Sequence, residues 1–175
     1  MRSSPNIQST IAIVERSLAE GDLFAALATL NASVAYRFTG VYAFEKDLVK
    51  SLLMFDRKNP DLRVGADVPW KDSYCMLVAE DGDSYTIEDS LTDPRLIDHP
   101  KRNSIQCYCA VLLKKPNGEP LGTICHFDLN HIENSTSKAL KDLLAIRPLV
   151  ENFLSANRSN PAQSKAGNRR RRIAS

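Results

Sequence analysis

Two β-prone runs, Ile105-Gln106-Cys107-Tyr108-Cys109-Ala110-Val111-Leu112-Leu113 and Pro120-Leu121-Gly122-Thr123-Ile124-Cys125-His126-Phe127-Asp128, flank the short link Pro116-Asn117-Gly118-Glu119. Asn-Gly in such a link is a strong hairpin signal, because the tight turns that suit strand twist need positive φ at their centre. Strands joined this closely must run antiparallel. The chain is therefore committed to an antiparallel sheet near its C-terminal end.

The remaining segments fit around that sheet. Ile7 to Glu20 carries apolar residues at helical spacing and stops at Gly21. A second helix starts at Asp22, with Leu23, Leu27, Leu30 and Val34 on one stripe. The pattern then changes: TGVYAFEKD and LVKSLLMFD read as a second hairpin. RKNPDLRVGADVPWKD is polar with Pro and Gly, hence a loop. A short helix is expected over Ser73–Glu80, begun by Asp72 or Ser73 and stopped by Asp81-Gly82, and then a brief strand in SYTIED. SLTDPRLIDHPKRN has two prolines and little periodicity, and loops of that length are uncommon unless functional. Ser135 to Leu154 is helical, with Pro148 expected to bend or interrupt it. Helices at both ends with hairpins between them give an α+β architecture.

Length and charge bound the function. A chain of 175 residues suits one domain, and no window approaches the roughly 18 consecutive apolar residues of a membrane span. MRSSPNIQST lacks the apolar stretch of a secretion signal, so a soluble cytoplasmic protein is expected. Residues 158–175 hold six Lys/Arg and no acid, whereas the rest carries 17 bases against 21 acids. The Ser/Asn/Ala/Gly-rich tail is too polar to order itself, and Arg169 to Arg172 could make weak contact with nucleic acid or another polyanion. Neither interleaved aromatics nor a recognition helix accompanies those charges. The expected divisions are an N-terminal helix over 1–22, a domain over 23–155 and a disordered basic tail over 156–175.

Cys107 and Cys109 lie two apart on a strand, so they share a face with Val111 and Leu113. Their Cα atoms stand roughly 6.5 Å apart with parallel Cβ vectors, which strains any direct disulfide. A metal would need about four converging ligands from Cys75, Cys107, Cys109, Cys125, His99 and His126. Cys125 and His126 face opposite sides, and no C-x-x-C or H-x₃-H spacing occurs. The cysteines therefore read as small core residues, and no metal site is expected. Cys75 differs, because the start of a short helix can lower a thiol pKa. It is either reactive or simply half-buried.

The segments YAFEKD…LLMFD, SYCMLVAEDGDSYTIEDSLTDPRLIDHP, IQCYCAVLL and NGEPLGTICHFDL, in this order, resemble a GAF domain over residues 23–155. The Gly-Thr-(apolar)-Cys-x-Phe-Asp string at Gly122 to Asp128 is the most telling. The resemblance implies a six-stranded antiparallel sheet with terminal helices on one face and, on the other, loops and short helices enclosing a pocket. Such domains are mostly sensors for cyclic nucleotides, haem, bilins, nitrate or other small molecules, or they only pair with each other. Family strands often read Tyr-x-Gly-Val-Pro-Leu where this chain has Tyr108-Cys109-Ala110-Val111-Leu112-Leu113, a change expected to regularise the strand and narrow a pocket. No kinase, cyclase or helix-turn-helix sequence is attached within these residues, so a signal is expected to leave through a partner protein or the tail.

The long loop would roof that pocket and carries Arg95, His99, Lys101 and Arg102. Arg95 offers a planar fork for carboxylate or phosphate, and His99 a switchable proton. Arg95 could equally pair with Asp89 or Asp98. Tyr108 could aim its hydroxyl into the same space. The candidate ligand-binding residues are thus Arg95, His99, Tyr108 and Cys75. No G-x-S-x-G, H-E-x-x-H or phosphate-gripping glycine loop is present, so no catalytic residue is assigned. The leading expectation is a non-enzymatic sensor or interaction module, dimeric through its terminal helices as the resemblance implies, binding a small anion or a nucleotide-like molecule; no cofactor is identifiable. One alternative is a thiol redox enzyme, since a branch resembling GAF domains reduces free methionine sulfoxide, although the cysteine placement here does not reproduce that branch's pattern. Another is a bare dimerisation module tethered by its Arg tail.

Overall fold

The computed structural model describes residues 6–157; the basic stretch Arg169–Arg172 lies outside the described residues. Asn6 caps α1 (Ile7–Ala19), its Oδ1 accepting from the Gln8 N–H. Gly21, at φ +75°, turns the chain into α2 (Leu23–Ala32). The Asp22 carboxylate caps α2 by accepting from the Ala25 N–H at 3.0 Å. Two long hairpins follow in the expected places: β1 (Phe38–Glu45) with β2 (Leu48–Asp56), and β5 (Cys107–Lys114) with β6 (Pro120–Asp128). Gly118 takes the positive φ (+86°) that the turn between β5 and β6 demands. Between the hairpins come β3 (Val68–Pro69), α3 (Tyr74–Asp81) and β4 (Ser84–Ile87), and α4 (Thr136–Ala156) closes the chain.

The six strands form one antiparallel sheet in the order β3-β2-β1-β6-β5-β4. Together with the four helices it is an α+β fold, as the element pattern predicts. The central strands pair β1 with β6, so the two hairpins lie side by side. One core fills the space between the sheet and α1, α2 and α4, and includes Val14, Leu27, Val41, Val111, Ile124, Leu143 and Ile146. A second core lies under α3 on the opposite face, with Tyr42, Val78, Ile87, Tyr108, Leu112 and Cys125. β5 is buried from Cys107 through Leu113. Being covered on both faces explains why it reads as a continuous apolar run instead of an alternating one.

Gly122 stands where β6 crosses Ala43 of β1; a Cβ there would lie 1.8 Å from the Tyr42 carbonyl oxygen. Only glycine fits. β3 was hidden in a stretch that reads as loop, and it is held from outside: Asp67 Oδ1 accepts from the Ser51 N–H at 3.0 Å, and the Trp70 N–H donates to the Asp47 carbonyl at 2.8 Å. Pro148 lies inside α4 without ending it. Among the described residues, no helix is long and apolar enough to cross a membrane.

Candidate functional site

The site begins with the alternation of the strands. Cys107, Cys109, Val111 and Leu113 enter the core beneath the terminal helices, which turns Tyr108, Ala110 and Leu112 toward α3. On β6, Cys125 follows Tyr108 to the α3 face, while His126 points to the helix side. The helix α3 starts at Ser73, whose Oγ accepts from the Cys75 N–H at 3.0 Å. That cap brings Tyr74 and Cys75 down onto the sheet, both buried.

A cleft remains between sheet and roof. Tyr42, Tyr108, Cys125 and Phe127 line it from the sheet, Ser73, Tyr74 and Cys75 from α3, and Val68, Lys101 and Ile105 from the flanks. Its volume is about 50 Å³. Ligand pockets for drug-sized molecules run to several hundred Å³, and Tyr42, Tyr74 and Tyr108 all border this smaller one. The Cys75 Sγ sits 3.3 Å from the Tyr108 Oη and 3.2 Å from the Thr123 Oγ1. The Tyr74 hydroxyl donates to the Ile105 carbonyl at 3.0 Å and so ties α3 to the end of the roof.

The electrostatics favour neutral groups. Burial pushes the Tyr74 phenol up to about 12. Burial, with Cys75 and Cys125 adjacent, holds the Tyr108 phenol well above its ordinary value, and Tyr42 is raised chiefly by burial too. The Cys125 thiol is likewise raised by burial. Away from the cleft, burial raises Cys107 and pushes Cys109 up to about 12. Thiols held protonated are poor nucleophiles.

The candidate residues read from the sequence separate into two groups. Cys75 and Tyr108 touch each other within the cleft. His99 stands beside it: its ring packs 4.6 Å from that of Tyr74, and its Nδ1 accepts from the Lys101 N–H at 3.1 Å. The proton of the neutral ring therefore sits on the buried Nε2, and burial lowers the ring's pKa against the opposing pull of the Ser73 backbone and Asp72. Arg95 does not line the cleft. Its guanidinium grips Asp93 at 2.6 Å, donates to the Thr86 carbonyl at 2.9 Å and lies 4.5 Å over the Tyr85 ring. It borders a separate open depression with Glu88, Asp89, Thr92, Asp93 and His131. The partner is thus Asp93, two residues before Arg95, and not Asp89 or Asp98.

Sequence reasoning placed Lys101 among the roof cations and Ser73 as a helix cap without making either a site residue, and it did not single out Tyr42 or Tyr74. Tyr42 needed the register that places β1 beside β6, and the others needed the path of the roof. Among the described residues no three His, Cys, Asp or Glu side chains converge to hold a metal.

No family model matches this sequence, and no curated protein does either. Solved structures do match. A free methionine-R-sulfoxide reductase from Neisseria meningitidis, in complex with its substrate, superposes with a TM-score of 0.70 over 90% of this chain and 95% of that one, at 16% identity. The GAF domain of an Acinetobacter phosphoenolpyruvate-protein phosphotransferase gives 0.69 over 90% and 98%, at 9% identity. The chain has the GAF fold. A further solved structure, in its far-red absorbing dark state with bound biliverdin, gives 0.66 over 84% of this chain and 98% of that one, at 9% identity. At such identities the likeness speaks for the fold alone, so the chemistry must come from the side chains.

Proposed function

We propose that this chain is a non-enzymatic small-molecule sensor or interaction module that takes its ligand in the cleft between α3 and the sheet. One observation carries the reading: apart from Lys101 at its flank, the cleft is lined by hydroxyls, thiols, rings and aliphatic groups, in which Tyr108 and Cys75 meet at 3.3 Å. A few polar groups in an apolar recess suit recognition. Bond making would call for an activated nucleophile beside a base. The bound state reaches a partner protein or a second copy of the chain through the terminal helices, in the cytoplasm, and the Arg-rich tail adds a weak polyanion contact. His99 and Arg95 act here as struts of the roof, setting how readily it opens. Native mass spectrometry with an absorption spectrum of the protein as purified tests the reading. A retained small molecule that Tyr108→Trp displaces supports it, and retention unaffected by that change contradicts it.

A second reading rests on Cys75 and Cys125 lining one cleft in a chain whose fold matches that of a methionine sulfoxide reductase. It requires a thiol that turns over. Free methionine-R-sulfoxide supplied with a dithiol reductant decides between the two: turnover abolished by Cys75→Ser establishes the enzyme, and no turnover leaves the sensor.

A further inference from the structure

Size and charge of the cleft together narrow what it can hold. One water occupies roughly 10–15 Å³ of such space, so about 50 Å³ accommodates on the order of three to five non-hydrogen atoms. A nucleotide, haem or bilin is several times larger. Among the lining residues Lys101 is the only Lys or Arg, and no Asp or Glu is present. Lys101 makes no ion pair among the described residues, unlike Arg95, Arg37 and Lys138, each of which holds a carboxylate. The Ser73 hydroxyl accepts from the Cys75 N–H and donates to nothing among the described residues, so its proton is available. The rest of the lining is aromatic, aliphatic or thiol.

We propose that the cleft binds a small monocarboxylate of about three to five non-hydrogen atoms, its carboxylate on Lys101 and Ser73 and its short apolar end against Tyr108 and Phe127. The proposal rests on the cleft being the ligand site. A single negative charge balances the single lysine. A dicarboxylate would leave an unpaired charge against apolar surface, which is strongly unfavourable. A neutral amide would forgo the charge-assisted hydrogen bond.

The test uses the full chain with sodium propionate as probe, and propionamide and sodium malonate as comparisons, followed by NMR shift changes and calorimetry. Propionate is expected to bind more tightly than either comparison and to shift Tyr108 and Thr123. Lys101→Met should weaken propionate by roughly 10-fold or more, while Lys101→Arg retains most of the binding. Because Lys101 is only half-buried and unpaired, both variants should keep the wild-type unfolding midpoint, which separates lost binding from lost folding. Propionate and propionamide binding equally well, with shifts at Tyr108 and Thr123, would overturn the carboxylate assignment yet keep the cleft as the site. Shifts confined to other surfaces would overturn both. Propionate failing to bind at all would also overturn the assignment, and a different molecule retained through purification would then still uphold the cleft.

Discussion

At the scale of single residues, the two sides of the sheet follow opposite rules. His126 is fully buried on the helix side, its Nδ1 2.7 Å from the Thr39 Oγ1 and its ring stacked on Tyr36. The Asn31 side-chain amide donates to the same Thr39 Oγ1 at 2.9 Å, so the threonine hydroxyl is left to donate to Nδ1. Nε2 then carries the proton and has no partner. Burial, helped by the positive charges of Lys138 and Arg57, lowers the ring's pKa to about 3. A base whose folded pKa is depressed adds stability above its unfolded value, near 6.5, and loses it as pH falls toward about 3. The unfolding midpoint should therefore drop between pH 7 and pH 5, where carboxylates scarcely titrate. His99 contributes in the same direction. A His126→Gln variant should show a flatter profile in that window, measured by denaturant unfolding at each pH. Equal slopes for the two proteins would refute the account. Gly122 offers a sharper case. Gly122→Ala drives a methyl into the Tyr42 backbone, where nothing can rotate away. We expect destabilisation of about 3 kcal/mol or more, read as a shift of the urea midpoint or as insoluble protein.

At the scale of elements, α4 shows what pattern reading reaches and what it leaves. Its apolar spacing placed it correctly, but the expected start at Ser135 carries no capping bond from the serine side chain. The cap comes from 47 residues upstream: the Glu88 carboxylate accepts from the Ser135 N–H at 3.1 Å and from the Thr136 hydroxyl at 2.7 Å. Burial opposes its ionisation, yet these hydrogen bonds win, and its pKa lies below the usual carboxylate value. The Glu88 carbonyl also meets the His131 Nδ1 at 2.9 Å. Glu88→Ala should cost about 1–3 kcal/mol, with faster hydrogen exchange in the first turn of α4; exchange unchanged there would refute this role. The hairpins and α1 to α3 were legible because their signals are local: Asn-Gly at the turn, Asp22 and Ser73 as caps, glycine at the stops. β3 and the Glu88 cap were not, since each exists only through a partner distant in sequence. Arg95 illustrates the same limit in reverse. The sequence offers this guanidinium a ligand or a carboxylate at Asp89 or Asp98, and only the turn at Asp93-Pro94 reveals that it folds back on Asp93.

At the scale of the whole molecule, the sheet separates two interiors that share the same cysteines' chemistry but not their surroundings. Alternation along β5 and β6 sends Cys107 and Cys109 under the helices and Cys125 toward α3, where Cys75 meets it from above. This division was readable from a period of two. The tightness of the cleft was not, because it depends on the volumes of Tyr42, Tyr74 and Tyr108, which arrive from three separate segments. All four thiols are free and buried. The arrangement has one consequence for the whole chain, which also separates a binding module from a thiol enzyme. A reagent that needs a thiolate must wait for the structure to open. In the native protein at pH 8, an aromatic disulfide reagent should find no rapidly reacting thiol, and in guanidinium it should find four. A ligand in the cleft should slow the reaction of Cys75 and Cys125 further while leaving Cys107 and Cys109 unchanged. A thiol that reacts at once in the folded protein would mean that α3 does not seal the sheet, and the sensor reading would give way to the reductase.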